Sequence, residues 1–229
     1  MGGKLIVLEA TDGSGKATQT ARLYQHLSDD RYPVRKIEFP DYTSPSSALV
    51  KMYLNGDFGS DPNAVSPYVA STFYAVDRYA SFKKDWERFY REGGIVLADR
   101  YTTANMVHQA AKIDEETERE RFLAWLWNFE YDILGLPVPD AVIFLDMPPA
   151  YSKKLVAERE AKAGIVRQDI HEADPRHSDR AYATAVWLAR KFGWHRVACV
   201  AEGRIRDVEE IHHDVYAHVN DVLRKKVVS

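Results

Sequence analysis

Residues 5–19 read LIVLEATDGSGKATQ. An apolar run of strand length gives way to a turn containing Gly13, Ser14 and Gly15, and Lys16 then leads into a segment whose Leu23 and Leu27 share one helical face. Strand, glycine-bearing loop and helix in that order make a phosphate-binding loop. The glycines let successive main-chain N–H groups turn inward on phosphate oxygens, while the helix N-terminus adds partial positive charge and Lys16 a full one. The pattern G-x-x-x-x-G-K-[ST] is met imperfectly, because Ala10 replaces its first glycine and Ala17 the hydroxyl residue that would reach a magnesium ion. That metal contact would pass to water, nucleotide oxygens or a nearby carboxylate, with Asp12 the candidate and Thr18 one position too far round the helix.

Working outward, further short apolar runs occur at 34–39, 95–98, 141–145 and 197–200, rich in β-branched residues. Between them lie segments of helical spacing, such as Val69, Phe73, Val76, Ala80 and Phe82 continuing to Trp86 and Phe89, then Phe122, Leu126, Phe129 and Ile133. Strands alternating with helices predict an α/β fold, a doubly wound parallel five-stranded sheet flanked by helices, in a single domain over 1–229. Ligands of such sheets sit beyond the carboxyl ends of the strands, where the chain places residues 10–16, 40–43, 99–103 and 146–149. Segments 55–67 and 161–175 read as irregular. On spacing alone Phe73 and Val76 belong to the core and Arg78 to the surface.

The 229 residues carry a formal net charge of −3, which offers no general basic face for a nucleic-acid backbone and favours a small acidic metabolite as partner. The lone cysteine, Cys199, lies in an apolar run and reads as a buried core thiol; no disulfide framework or thiolate metal site can be built within one chain. No stretch reads as a membrane span or secretory leader, so a cytoplasmic location is expected.

Four motifs in order make the chain resemble the thymidylate kinases: EATDGSGKATQ at 9–19, FPDY at 39–42, FYAVDR at 73–78 and DRYTTANMVHQ at 99–109. The resemblance implies a P-loop nucleoside monophosphate kinase fold with a mobile lid at about 159–173. ATP would bind through Gly13, Ser14, Gly15, Lys16, Ala17 and Thr18, with Arg204 against adenine. Asp12 would lie near the 3′-hydroxyl of dTMP and the transferred phosphate, and Asp41 and Tyr42 close to the sugar and phosphate of dTMP. Tyr74 would stack on thymine and Arg78, one helical turn later, would bond its exocyclic oxygen. Arg100 would clamp the monophosphate, Asn105 touch the base and His108 lie beneath the deoxyribose, and Gln109, matching a glutamine of many bacterial members, would join the dTMP-binding set. Asp99, through water, and Asp12 would serve Mg²⁺. The loop supplies Gly13-Ser14 where an arginine could stabilise the transferred group, so that charge would come from the lid, from Arg159 and Arg167 with Lys162 secondary; Asp169, His171 and Glu172 fall at the lid's other positions. Helices matching 68–89 pair subunits in the family, implying a homodimer. Other readings of the same residues are a kinase for another nucleoside monophosphate or a deoxynucleoside, and a catalytically silent nucleotide-binding protein, which Ala10 and Ala17 suggest and Lys16, Asp99 and Arg100 oppose.

Overall fold

The computed structural model of the chain describes residues 2–59, 61–163 and 176–224. Strands β1 (Lys4–Glu9), β2 (Val34–Glu38), β3 (Ile95–Asp99), β4 (Ala141–Asp146) and β5 (His195–Ala198) form one sheet in the order β2-β3-β1-β4-β5, all neighbours parallel. The central strands are apolar on both faces because both faces are covered. Side chains alternate along β1, so Leu5 and Val7 enter one core with Phe122, Leu126 and Leu188, while Ile6 and Leu8 enter another with Leu23, Leu27, Val215 and Val219.

Nine α-helices are described: α1 (Lys16–Asp29), α2 (Ala48–Leu54), α3 (Pro67–Ser81), α4 (Glu87–Arg91), α5 (Thr102–His108), α6 (Glu116–Trp127), α7 (Pro149–Ala163), α8 (His177–Phe192) and α9 (Val208–Arg224). Leu23 and Leu27 of α1 and Val215 and Val219 of α9 cover one face of the sheet. Met106 and Val107 of α5, Phe122 and Leu126 of α6 and Leu188 of α8 cover the other. π-helical turns at Phe82–Trp86 and Asn128–Ile133 prolong α3 and α6.

Two expectations from spacing are corrected. Phe73 is half-buried against Tyr53 and Ala70, but Val76 is 49% exposed, whereas Arg78 is 1% exposed. The inward face of α3 is partly polar, with Ser71, Asp77 and Arg78 buried, because it lines a cleft and finds ionic and hydrogen-bonding partners there. The run at 197–200 is also not one strand. The chain leaves the sheet after Ala198, and β6 (Val200–Ala201) pairs antiparallel with β7 (Arg204–Ile205) across a turn in which Glu202 and Gly203 both have positive φ. Cys199 is buried as expected, and burial pushes its thiol up to about 12, which makes it a poor nucleophile.

Candidate active site

The loop after β1 depends on two left-handed glycines, Gly13 and Gly15, both at φ 77°. A Cβ on Gly13 would lie 2.6 Å from the Ser152 carbonyl oxygen and 2.7 Å from a Val156 methyl, so the loop passes too close to α7 for any side chain there. Gly15 caps α1 with no side-chain bond, leaving the first-turn N–H groups available. Ala10 is 1% exposed and packs among the core residues beneath the loop, which explains why a methyl is accommodated where the pattern has glycine. Residues 11–18, with Leu155 and Val156, line a cleft of about 860 Å³, part of it open to solvent.

Leu8 of β1 pairs with Asp99 of β3, so the loops that follow these strands leave the sheet side by side. Two ion pairs cross between them: Lys16 Nζ meets Asp99 Oδ1, and Arg100 Nη2 meets Asp12 Oδ1. Arg100 takes φ 66°, a conformation that non-glycine residues adopt at an energetic cost, and its N–H donates to the Leu8 carbonyl at 3.2 Å. The Arg100 guanidinium holds Asp12 down to about 2, and Asp12 in turn raises Arg100. Burial, followed by the field of Arg100, pushes Lys16 down to about 7 against the opposing pull of Glu9 and Asp12; the adjoining Asp99 carboxylate also favours its charged form. Beneath them Glu9 is fully buried, accepting from Thr103 Oγ1 at 2.7 Å and the Ala10 N–H at 3.0 Å, and burial raises its carboxyl. Its place at the end of an apolar strand was the available signal, and sequence reasoning gave it no role.

A second cleft, of about 550 Å³ and also partly open, adjoins the first. Asp12, Tyr42, Tyr74, Arg78, Arg100, Asn105, His108 and Gln109 all line it, with Phe39, Pro40 and Leu54. Tyr42 stands 53% exposed at the mouth. Tyr74 meets Tyr53 edge-on, and Arg78 forks onto Glu130, a residue that the sequence reading did not single out. His108 Nδ1 lies 3.1 Å from His177 Nε2, joining the cleft to the start of α8. The loop after β2 is anchored by Asp77, whose carboxylate accepts from the Asp41 N–H at 2.8 Å and Ser46 Oγ at 2.6 Å. Asp77→Ala should free that loop and weaken a ligand bound in this cleft about tenfold while leaving binding at the glycine loop unchanged, as titration calorimetry would show.

Arg204 stands apart from both linings: it sits on β7, exposed, paired with Glu210. The side chains of Arg159 and Lys162, and residues 167, 169, 171 and 172 entirely, lie outside the described residues. Among the described residues no cluster of three or more His, Cys, Asp or Glu could hold a metal, and no helix is long and apolar enough to cross a membrane.

A parallel sheet of this order with a glycine-and-lysine loop between β1 and α1, and a second cleft meeting that loop at Asp12, defines a P-loop nucleoside monophosphate kinase fold. The solved thymidylate kinase of Candida albicans shares it, at TM-score 0.70 and 21% identity over 96% of this chain and 92% of that one. The thymidylate kinase family model matches residues 8–209, and the chain belongs to that family. It is 30% identical to the thymidylate kinase of Mycobacterium tuberculosis over 196 residues, covering 83% of this chain and 87% of the relative. It is 27% identical to a probable thymidylate kinase of Pyrococcus horikoshii over 223 residues, covering 97% and 98%.

Proposed function

We propose that the protein transfers the γ-phosphoryl group of ATP to a phosphate oxygen of dTMP, giving dTDP and ADP. The observation that carries this reading is that Asp12 lines both clefts and is held there by Arg100, so a triphosphate in the loop and a monophosphate in the second cleft would meet end to end. Family membership supports the choice of nucleotide, since the relatives are thymidylate kinases.

The loop N–H groups and Lys16 would hold the β- and γ-phosphates, and Arg100 would turn its planar fork to the acceptor phosphate. The acceptor is already anionic, so positioning and charge neutralisation carry the reaction and no strong base is needed. Asp12 and Asp99 bring carboxylates to the junction, a donor set that suits Mg²⁺ when phosphate oxygens and water complete its octahedron. When bound, Mg²⁺ supplies Lewis-acid neutralisation of the phosphoryl oxygens. Ala17 offers no hydroxyl to it, which leaves these carboxylates as the protein's contribution. Arg159 and Arg167 would add positive charge from the lid, Tyr74 would stack on thymine, and His108 and Gln109 would border the sugar. Arg204 would have to release Glu210 to approach adenine.

A homodimer in the cytoplasm completes the reading. The outer face of α3 carries Val69, Val76 and Tyr79, respectively 48%, 49% and 40% exposed at helical spacing, an apolar stripe suited to a second copy of the same helix. Light scattering should give twice the chain mass, and Val76→Asp should shift the protein towards the single-chain mass by placing two carboxylates in the seam.

Measuring ADP release from ATP and Mg²⁺ with dTMP, dUMP, dCMP, AMP and thymidine tests the reaction. Preferred turnover of dTMP is expected. Preference for thymidine would move the assignment to a nucleoside kinase, and nucleotide binding without turnover to a silent protein.

A further inference from the structure

Glu130 is 0% exposed, on the π-helical turn after α6, and donors converge on its carboxylate from two other helices. Arg78 Nε donates to Oε2 at 2.7 Å and Arg78 Nη2 to Oε1 at 2.5 Å. From α5, Thr102 Oγ1 donates to Oε2 at 2.7 Å and Asn105 Nδ2 to Oε1 at 3.4 Å. Arg78 and Asn105 both line the second cleft beside Tyr74. We propose that Glu130 fixes the hydrogen-bonding polarity of the base-reading edge, holding Arg78 as a donor and Asn105 as an acceptor towards the cleft, so that a 4-oxo pyrimidine is admitted and a 4-amino pyrimidine refused.

A carboxylate only accepts and a guanidinium only donates. With its Nε and Nη2 edge taken by Glu130, Arg78 keeps Nη1, which makes only a long approach of 3.5 Å to the Tyr101 carbonyl oxygen. Asn105 Nδ2 lies between two acceptors, Glu130 Oε1 and the Ser71 carbonyl oxygen at 3.3 Å, so the NH₂ of its amide must face them and Oδ1 is left for a ligand. Thymine and uracil offer a carbonyl at position 4 and an N–H at position 3, the complement of this pair. Cytosine offers an amine and a bare ring nitrogen, opposing donor to donor and acceptor to acceptor. A buried ion pair is weak as a source of stability but defines geometry, and a π-helical turn at its acidic member fits a positioning role. This inference rests on the base lying against Tyr74, as proposed above.

Comparing dUMP with dCMP isolates the 4-position, since both lack the methyl group. Wild-type kcat/KM should favour dUMP by about a hundredfold, the discrimination that two mispaired buried groups provide. Glu130→Gln adds a donor and releases the Asn105 amide to turn, so the ratio should fall about tenfold with an absolute gain in kcat/KM for dCMP and an unchanged KM for ATP. A gain with dCMP separates positioning from structural damage. Thr102→Val, which removes only a hydroxyl from Glu130, should move the ratio in the same direction by about threefold and decides the matter if Glu130→Gln melts early. A wild type that uses dCMP as well as dUMP, or folded variants with the wild-type ratio, would overturn the role of Glu130 while leaving dTMP phosphorylation standing. A wild type that phosphorylates neither dTMP nor dUMP would overturn both.

Discussion

Arg100→Gly is expected to lower kcat/KM for dTMP about a thousandfold, near 4 kcal/mol of transition-state stabilisation, while leaving the melting temperature equal or slightly raised. The two effects part because Arg100 does two opposed things. Its guanidinium holds Asp12 where the clefts meet, and its backbone sits at φ 66°, which glycine adopts without strain. Removing it takes away the positive charge proposed to face the acceptor phosphate and lets the Asp12 carboxyl rise from about 2 towards the ordinary range. Stopped-flow or steady-state kinetics alongside a thermal melt would show both. A variant that loses stability in proportion to activity would make Arg100 a structural residue instead.

Gly13→Ala is expected to raise KM for ATP at least about a hundredfold and to lower the melting temperature by several degrees. A side chain at φ 77° costs about 1–2 kcal/mol in backbone strain alone. Its Cβ would also stand 2.6 Å from the Ser152 carbonyl oxygen, a backbone atom that can move only if α7 shifts. The loop N–H groups would then no longer converge on one point. Gly15→Ala makes an informative control, because its Cβ would meet nothing within 4 Å and only the φ strain remains. A much smaller ATP defect in that variant would attribute the larger one to the contact with α7.

Much of this was legible in the chain because it depends on local order. Residues 5–19 specify strand, loop and helix by pattern alone, and β3 and β4 are continuous apolar runs because both their faces are covered. The residues proposed for dTMP came from motif resemblance, and they line one cleft because α3, α5 and the loops after β1 to β3 all open on the same rim. What was not legible depends on partners distant in sequence. Arg78 reads as a surface charge until Glu130, far along the chain on α6's extension, is seen to neutralise it. Val76 reads as core because apolar spacing says that a face is buried without saying against which element. The break at Cys199 leaves no mark in the sequence because Val200 is as apolar as Val197, and only the turn at Glu202 and Gly203 draws it into a hairpin. Glu9 and Asp77 gave no periodic signal, since each acts by receiving hydrogen bonds from a neighbouring loop.

The most direct test of the central claim is a crystal structure of the protein with dTMP and a non-hydrolysable ATP analogue. The triphosphate is expected against the N–H groups of residues 13–18, the dTMP phosphate on Arg100, and the two phosphates facing each other beside Asp12. A dTMP phosphate bound away from Arg100, or a triphosphate outside the loop, would contradict it.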